Sequence, residues 1–265
     1  MPRARIAWFR TLIYLFILVE VLVLRPWVAD NGLMPADQYH PLMIGRLLPL
    51  PTPTPLLVDI VKYSLLVFAA IAASGRLVRF AGTMVFLLFF EWMLIAFSYG
   101  KVDHDRFAFL VALAVLPLVG KAHWRDESSD ESSGWAIRCI QLGVVATYFL
   151  AAFAKIRFGG IDWVNGATLM RAVIRRGTFL ATPLEDAPWL LIVTQWFIVI
   201  FELAAPVMLM RNMAGRLYVY IAFAFHFMTY SMITIMFWPH MVCLTVFLPL
   251  ERLGQRKVPV EGRHG

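Results

Sequence analysis

Apolar runs dominate the chain, and polar positions divide it into eight segments, roughly 9–24, 56–73, 80–98, 106–120, 136–155, 189–210, 217–237 and 240–250. Helices satisfy their own backbone groups, and about 20 apolar residues cross a bilayer core. The fourth and eighth segments are short, which predicts helices that are tilted or buried within a bundle. The eighth follows the seventh after only Trp238-Pro239. The pattern predicts an all-α polytopic transmembrane helical bundle of seven to eight spans. It forms one domain over residues 1–250, followed by a short cytoplasmic tail at 251–265. Arg3 and Arg5 precede the first run as in a secretory signal, but Arg10 and Glu20 interrupt it and no small-x-small cleavage site follows. The first segment is therefore read as a retained span.

Composition narrows the class further. Of 265 residues, 60% are hydrophobic and only 15% charged, which excludes an ordinary soluble domain. The net charge of +7 fits loop arginines facing the cytoplasm and anionic lipid. No nucleic-acid-reading motif is present, so the bilayer rather than nucleic acid is the expected partner. Cys139 and Cys243 lie in or beside apolar runs without metal-binding spacing and read as small core residues. With the N-terminus in the cytoplasm, inside segments hold 14 Lys and Arg, while the longer outside segments hold 9. That contrast predicts an N-in, C-in multi-pass protein, in the cell membrane if the source is bacterial.

Three connecting segments have their own character. Residues 25–55 carry Pro26, Pro35, Pro41, Pro49 and the run Pro51-Thr-Pro-Thr-Pro55, which predicts an ordered cap or extended polyproline stretch. Residues 156–188, with Trp163 and several arginines, suit a helix lying in the membrane interface. The run Arg125-Asp-Glu-Ser-Ser-Asp-Glu-Ser-Ser-Gly134 reads as a flexible acidic linker.

Charged side chains within spans cost at least a few kcal/mol each, so they need partners or a task. Glu20, Asp59, Lys62, Glu91, Glu202 and His226 all fall within the apolar segments. By predicted depth, most of them gather in the outer half, near His104 in the loop before the fourth segment and Lys155 at the end of the fifth. Desolvation of an amine at that depth favours its neutral form and makes it a usable base; the alternative is an anchor that only snorkels to the interface. Asp59 and Lys62, three residues apart, read as a self-neutralising pair, and Glu20 as a partner for Arg25 or Lys62. Glu202, just before Ala-Ala-Pro206, reads as structural. His226, between Phe225 and Phe227, is either a satisfied core histidine or a site residue. No H-E-x-x-H or similar spacing appears, so no metal is expected. Aromatic residues and Met228, Met232, Met236 and Met241 suit either ordinary packing or a flat pocket for a ring-bearing lipid.

The run Tyr148-Phe-Leu-Ala-Ala-Phe-Ala-Lys155, followed by Asp162-Trp163-Val-Asn-Gly166, resembles the vitamin K-dependent gamma-carboxylase family and its bacterial relatives, the HTTM membrane domain. Phe9-Arg10 with Glu20, Asp103-His104, Glu202-Leu-Ala-Ala-Pro206 and Phe225-His226 match in chain order, over about residues 6–250. The resemblance implies that Lys155 is the base acting on a reduced, vitamin K hydroquinone-like quinone, with O2 and CO2 as co-substrates. His104 and His226 take the positions of family histidines, and the active side is extracytoplasmic. The ligand contacts are not assigned; Glu20, Glu91, Trp163 and Tyr230 are the candidates. The sequence departs from the family in three ways. Ala154 stands where the carboxylase has a second lysine, and Asp103 where asparagine is usual before the loop histidine. The sequence up to Gly265 has no counterpart of the large luminal domain that holds the protein substrate. Carboxylation is therefore one outcome among oxygen-dependent reactions, and a separate extracytoplasmic protein is the expected partner or substrate. Asp103 is expected to raise the pKa of His104. The competing expectation is a non-catalytic membrane module binding a lipid or a partner protein. A transporter is disfavoured because the chain lacks internal repeats and paired broken helices.

Overall fold

The computed structural model describes residues 1–48 and 50–254, and among them no β-strand occurs; the only β-type pairing is an isolated bridge between Pro2 and Ser129. Ten α-helices follow one another: α1 (Arg3–Val19), α2 (Met43–Leu47), α3 (Pro55–Ala73), α4 (Val78–Ser98), α5 (Phe107–Val115), α6 (Glu131–Ala154), α7 (Ala167–Arg176), α8 (Pro188–Leu203), α9 (Met213–Ile233) and α10 (Trp238–Leu244). Each of the eight apolar segments forms a helix (α1, α3, α4, α5, α6, α8, α9 and α10). Four helical stretches are long and apolar enough to cross a membrane: Arg3–Leu24, Pro55–Ala73, Val78–Ser98 and Glu131–Gly159. α8 and α10 are shorter, and α9 is interrupted by Arg216, His226 and three tyrosines. The chain is a helical integral membrane protein.

Helix starts follow local chemistry. Thr54 Oγ1 accepts from the Leu57 amide, with Pro55 at the first helical position of α3. Asp130 Oδ1 accepts from the Ser133 amide at 2.7 Å at the start of α6, and Asn212 Oδ1 from the Gly215 amide at α9. Each side chain satisfies a donor that the first turn leaves free.

One large core holds the bundle together, with Phe9, Tyr14, Phe89, Trp92 and Phe109 fully buried in it. The Phe109 ring takes Phe89 and Phe16 edge-on at 5.2 and 5.5 Å. The outward faces stay apolar: Leu56, Ile60, Tyr63 and Val67 form one exposed stripe along α3, as lipid-facing positions require. At Gly82 on α4, an added Cβ meets the Tyr14 hydroxyl at 2.5 Å and Pro117 Cγ at 2.9 Å. Gly82→Val is expected to destabilise the protein by roughly 1–3 kcal/mol through overpacking, read as a lowered Tm in detergent.

The charged segment 125–134 is not a free linker. The Arg3 amide donates to the Ser128 carbonyl, and the Arg3 side chain pairs with Asp126 and Asp130. Its acids face the N-terminal arginine, and this pairing pins it. Glu251 pairs with Arg5 at 2.5 Å, which brings the first residues after 250 to the same end; the remainder of the expected tail, 255–265, lies outside the described residues. Between α1 and α3 the proline-rich stretch forms an ordered cap of short 3-10 turns and α2. α7 is amphipathic: Leu169 and Val173 turn inward, while Arg171, Ile174 and Arg175 are exposed. Asp59 and Lys62 do not pair; Asp59 is exposed, and Lys62 Nζ lies 5.6 Å from the Tyr63 ring centre. Cys243 is buried and Cys139 is partly so.

Candidate functional site

At the end of the bundle opposite the chain's N-terminus, a cavity of about 360 Å³ opens between α6, α7, α8 and α9. This is within the roughly 300–1,000 Å³ of small-molecule sites. Its wall is mostly apolar, with Phe197, Phe225, Phe237, Met228 and Met232 contributing; Met236 and Met241 are not on it. Lys155, His104, His226 and Trp163 all line it. Among the ligand-contact candidates, Glu20, Glu91 and Tyr230 do not. Tyr230 is turned away and packs against Trp238, Glu91 is a half-buried residue of α4, and Glu20 serves a charge network behind the wall.

Lys155 stands where α6 gives way to a π-helical turn, Lys155–Gly159. Such turns widen the helix locally and recur at functional sites. Lys155 Nζ meets both Oε atoms of Glu202 at 2.7 Å. Of the two side chains, 20% of Lys155 and 8% of Glu202 remain exposed. The pair links α6 to α8 one residue before α8 ends at Leu203, ahead of the 3-10 turn containing Pro206. The two charged groups are each other's hydrogen-bond partners in an otherwise apolar wall. Lys155 is therefore half of a coupled pair, and Glu202 belongs to the site.

Trp163 covers this pair, with its ring centre 5.4 Å from Nζ. A Cβ at Gly159 would meet Trp163 Cβ at 2.8 Å, and Gly160 has φ +57, so the Gly159-Gly160 turn lets the indole approach. Gln195 of α8 donates to the Trp163 carbonyl at 2.5 Å.

Elsewhere on the cavity wall, Tyr148 Oη and His226 Nε2 are 2.6 Å apart. With the phenol donating to Nε2, the ring proton of His226 sits on Nδ1, which has no partner among the described residues. His240, at the start of α10, packs edge-on against Tyr148 with ring centres 4.5 Å apart. It is buried, and neither ring nitrogen has a partner among the described residues.

His104 opens the 3-10 turn before α5, its ring 5.9 Å from that of Phe237. Its pKa is lowered: burial is the largest cause, followed by Asp105 acting against it, with Lys155 and Lys101 adding to it. Asp103 does raise it, as expected, but is the smallest of these causes and does not set the net direction. Burial wins, and Asp103 is engaged elsewhere, hydrogen-bonded to Arg25 and 3.6 Å from Arg106. His104 is therefore neutral near pH 7, with one donor and one acceptor nitrogen.

Behind the wall lies a buried network. Glu20 opens a second π-helical turn, Glu20–Leu24; its Oε1 accepts from Arg106 at 2.9 Å and is 3.4 Å from Arg25. Arg106 also holds Asp105, a wall residue, at 2.5 Å. Glu20 thus pairs with Arg25 and Arg106, and not with Lys62. Burial raises the Asp103 carboxyl, but Arg25 and Arg106 outweigh it and hold its pKa below the usual range. Among the described residues, no group of three or more His, Cys, Asp or Glu is placed to hold a metal ion.

The HTTM domain model matches residues 2–252. The chain belongs to the HTTM domain family. This HTTM protein is thus a membrane protein related to the vitamin K-dependent carboxylase family. No curated protein and no solved structure matches it.

Glu202 and His240 received no site role from the sequence. Glu202 is 47 positions from Lys155 in a run that reads as a proline-broken helix end, and His240 falls in the shortest apolar segment, which follows the seventh after only Trp238-Pro239. The one usable signal was that both are polar residues within apolar runs.

Proposed function

We propose that this HTTM protein binds a reduced ring-bearing lipid of the quinol type in its cavity and removes a proton from it at Lys155. The observation that carries this reading is the Lys155–Glu202 pair, partly exposed in an otherwise apolar, ring-lined cavity. The donor set fits such a ligand: flat apolar walls for the ring, and the unpartnered nitrogens of His226 and His240 for its oxygen functions. A reduced quinone supplies, when bound, ring hydroxyls and the electrons for reaction with O2; CO2 would enter only if the outcome is carboxylation.

The chain's residues carry the proton chemistry. A proton on Lys155 Nζ passes to a Glu202 oxygen 2.7 Å away, leaving a neutral amine and a carboxylic acid. The amine then takes a proton from a hydroxyl at the cavity's polar edge. The resulting ammonium remains beside the oxyanion, and the transferred proton remains on Glu202. Trp163 and the Phe and Met wall exclude water, which strengthens each of these interactions. His104, neutral near pH 7, faces the same space and polarises a ring oxygen or orients O2.

The second reading is a non-catalytic lipid- or partner-binding module in which the pair only ties α6 to α8. The close two-oxygen contact at Glu202 favours it, because a paired lysine and glutamate satisfy each other and join the two helices without any reaction. Mass spectrometry of the purified protein separates the two. The first reading predicts a co-purified quinone; a stable complex with another protein and no ring-bearing lipid would overturn it.

The cavity end is extracytoplasmic in this proposal, from the loop-charge contrast. An impermeant thiol reagent applied to intact cells is expected to label Lys101→Cys and Ile161→Cys, both at exposed positions, and to spare Ser129→Cys. Labelling of Ser129→Cys alone would reverse the orientation.

A further inference from the structure

His240 is out of place for a core residue. It is buried among rings, yet neither imidazole nitrogen has a partner among the described residues, nor has Nδ1 of neighbouring His226, whose ring centre is 5.5 Å away. An unsatisfied buried polar group costs roughly 1–3 kcal/mol, so a packed Phe or Leu would serve stability better at this position. Both histidines line the cavity. Tyr148 fixes His226 through Nε2 and braces the face of His240, so the free nitrogens are held by packing and a hydrogen bond.

These atoms are offset from Lys155 along α6. Tyr148 and Lys155 are seven residues apart on one face of α6, a rise of about 10 Å along the axis. The cavity thus carries two polar points on its largely apolar wall: the Lys155–Glu202 ion pair at one and the imidazoles of His226 and His240 at the other. A ligand with oxygen at only one end of its ring would leave the imidazole end unsatisfied.

We infer that His240, with His226, forms a second oxygen-binding point, so that the cavity selects an aromatic lipid bearing oxygen at both ends of its ring. This rests on the quinol reading and makes it specific: Lys155 engages one oxygen, and His240 holds the opposite one. A neutral imidazole has both a donor and an acceptor nitrogen, so it serves a hydroxyl or a carbonyl there. His240 is a binding residue in this assignment and exchanges no proton.

The test is binding, read by quenching of intrinsic tryptophan fluorescence in the full chain in nanodiscs, under anaerobic conditions. The probes are naphthohydroquinone, with two para hydroxyls, and alpha-naphthol, with one. The wild type is expected to bind the diol at least tenfold more tightly. His240→Phe is expected to remove that preference by weakening the diol alone, and to leave the ligand-free Tm unchanged or raised, because an orphaned group has been replaced by an apolar one. Should Phe not fit, His240→Leu makes the same prediction. Equal affinity of the wild type for both probes, or an unchanged preference in the variants, would overturn this inference and leave the quinol reading standing. Binding of neither probe by the wild type would overturn both.

Discussion

Lys155→Arg is expected to fold like the wild type and to lose quinol oxidation by about 10²–10⁴-fold, the usual contribution of a general base. The guanidinium can still pair with both Glu202 oxygens, so the tie between α6 and α8 survives. It stays protonated at any working pH and cannot accept the ligand's proton. A lysine that merely anchors the helix is replaced by arginine without loss. Lys155→Met is the less informative change. It strands the Glu202 carboxylate, and breaking a buried pair costs roughly 3–5 kcal/mol. The partial exposure of Lys155 puts the expected cost toward the lower end of that range. Adding Glu202→Gln to Lys155→Met should restore the Tm without restoring activity. Oxygen uptake in proteoliposomes reads the first effect and thermal unfolding in detergent the second. Full activity in Lys155→Arg removes Lys155 as the base.

Arg106→Met is expected to be the most destabilising single substitution in the molecule, by roughly 3–5 kcal/mol. It leaves Glu20, whose side chain is 0% exposed, with only Arg25 at 3.4 Å, and it frees Asp105 on the cavity wall. Glu20→Gln combined with Arg106→Met should recover much of the loss, because both members of the pair then become neutral. The network also gives an acid limb. Asp103 titrates below its unfolded value, so its contribution is fully present above about pH 4 and is lost as the pH falls through the lower folded value. Asp103→Asn should flatten that limb in a Tm-against-pH profile. A Tm for Arg106→Met equal to that of the wild type would show that the network contributes nothing to stability.

Much of this arrangement is readable from the sequence because membrane burial makes charge conspicuous. Runs bounded by Pro, Gly and Arg mark the helices of the eight apolar segments, and depth along those runs brings His104, Lys155 and His226 toward the same end of the bundle. Depth says nothing about rotation around the helix axis. For that reason Glu91 and Tyr230, at suitable depth, face elsewhere, and Asp59 and Lys62 diverge despite their spacing of three. The π-helical turns at Glu20 and Lys155 have no pattern in the residues they contain, yet they mark where α1 and α6 end in charged groups. Glu202 was legible as an acid beside a helix break, but its partner was not, because the contact depends on how α6 and α8 cross. His240 lies in a segment only seven helical residues long, too short for periodicity to show which way its ring faces. The acidic run at 125–134 reads as a free linker by composition, because the arginine that fixes it lies more than 120 positions away.

The central claim is that this cavity is a quinol-binding catalytic site, and the most direct measurement is oxygen consumption by the purified wild-type protein in liposomes supplied with naphthohydroquinone. The account predicts a saturable rate above that of empty liposomes, eliminated in Lys155→Arg. A rate no faster than that of empty liposomes at every quinol concentration, from protein with an intact unfolding transition, would contradict it and leave the non-catalytic membrane module as the reading.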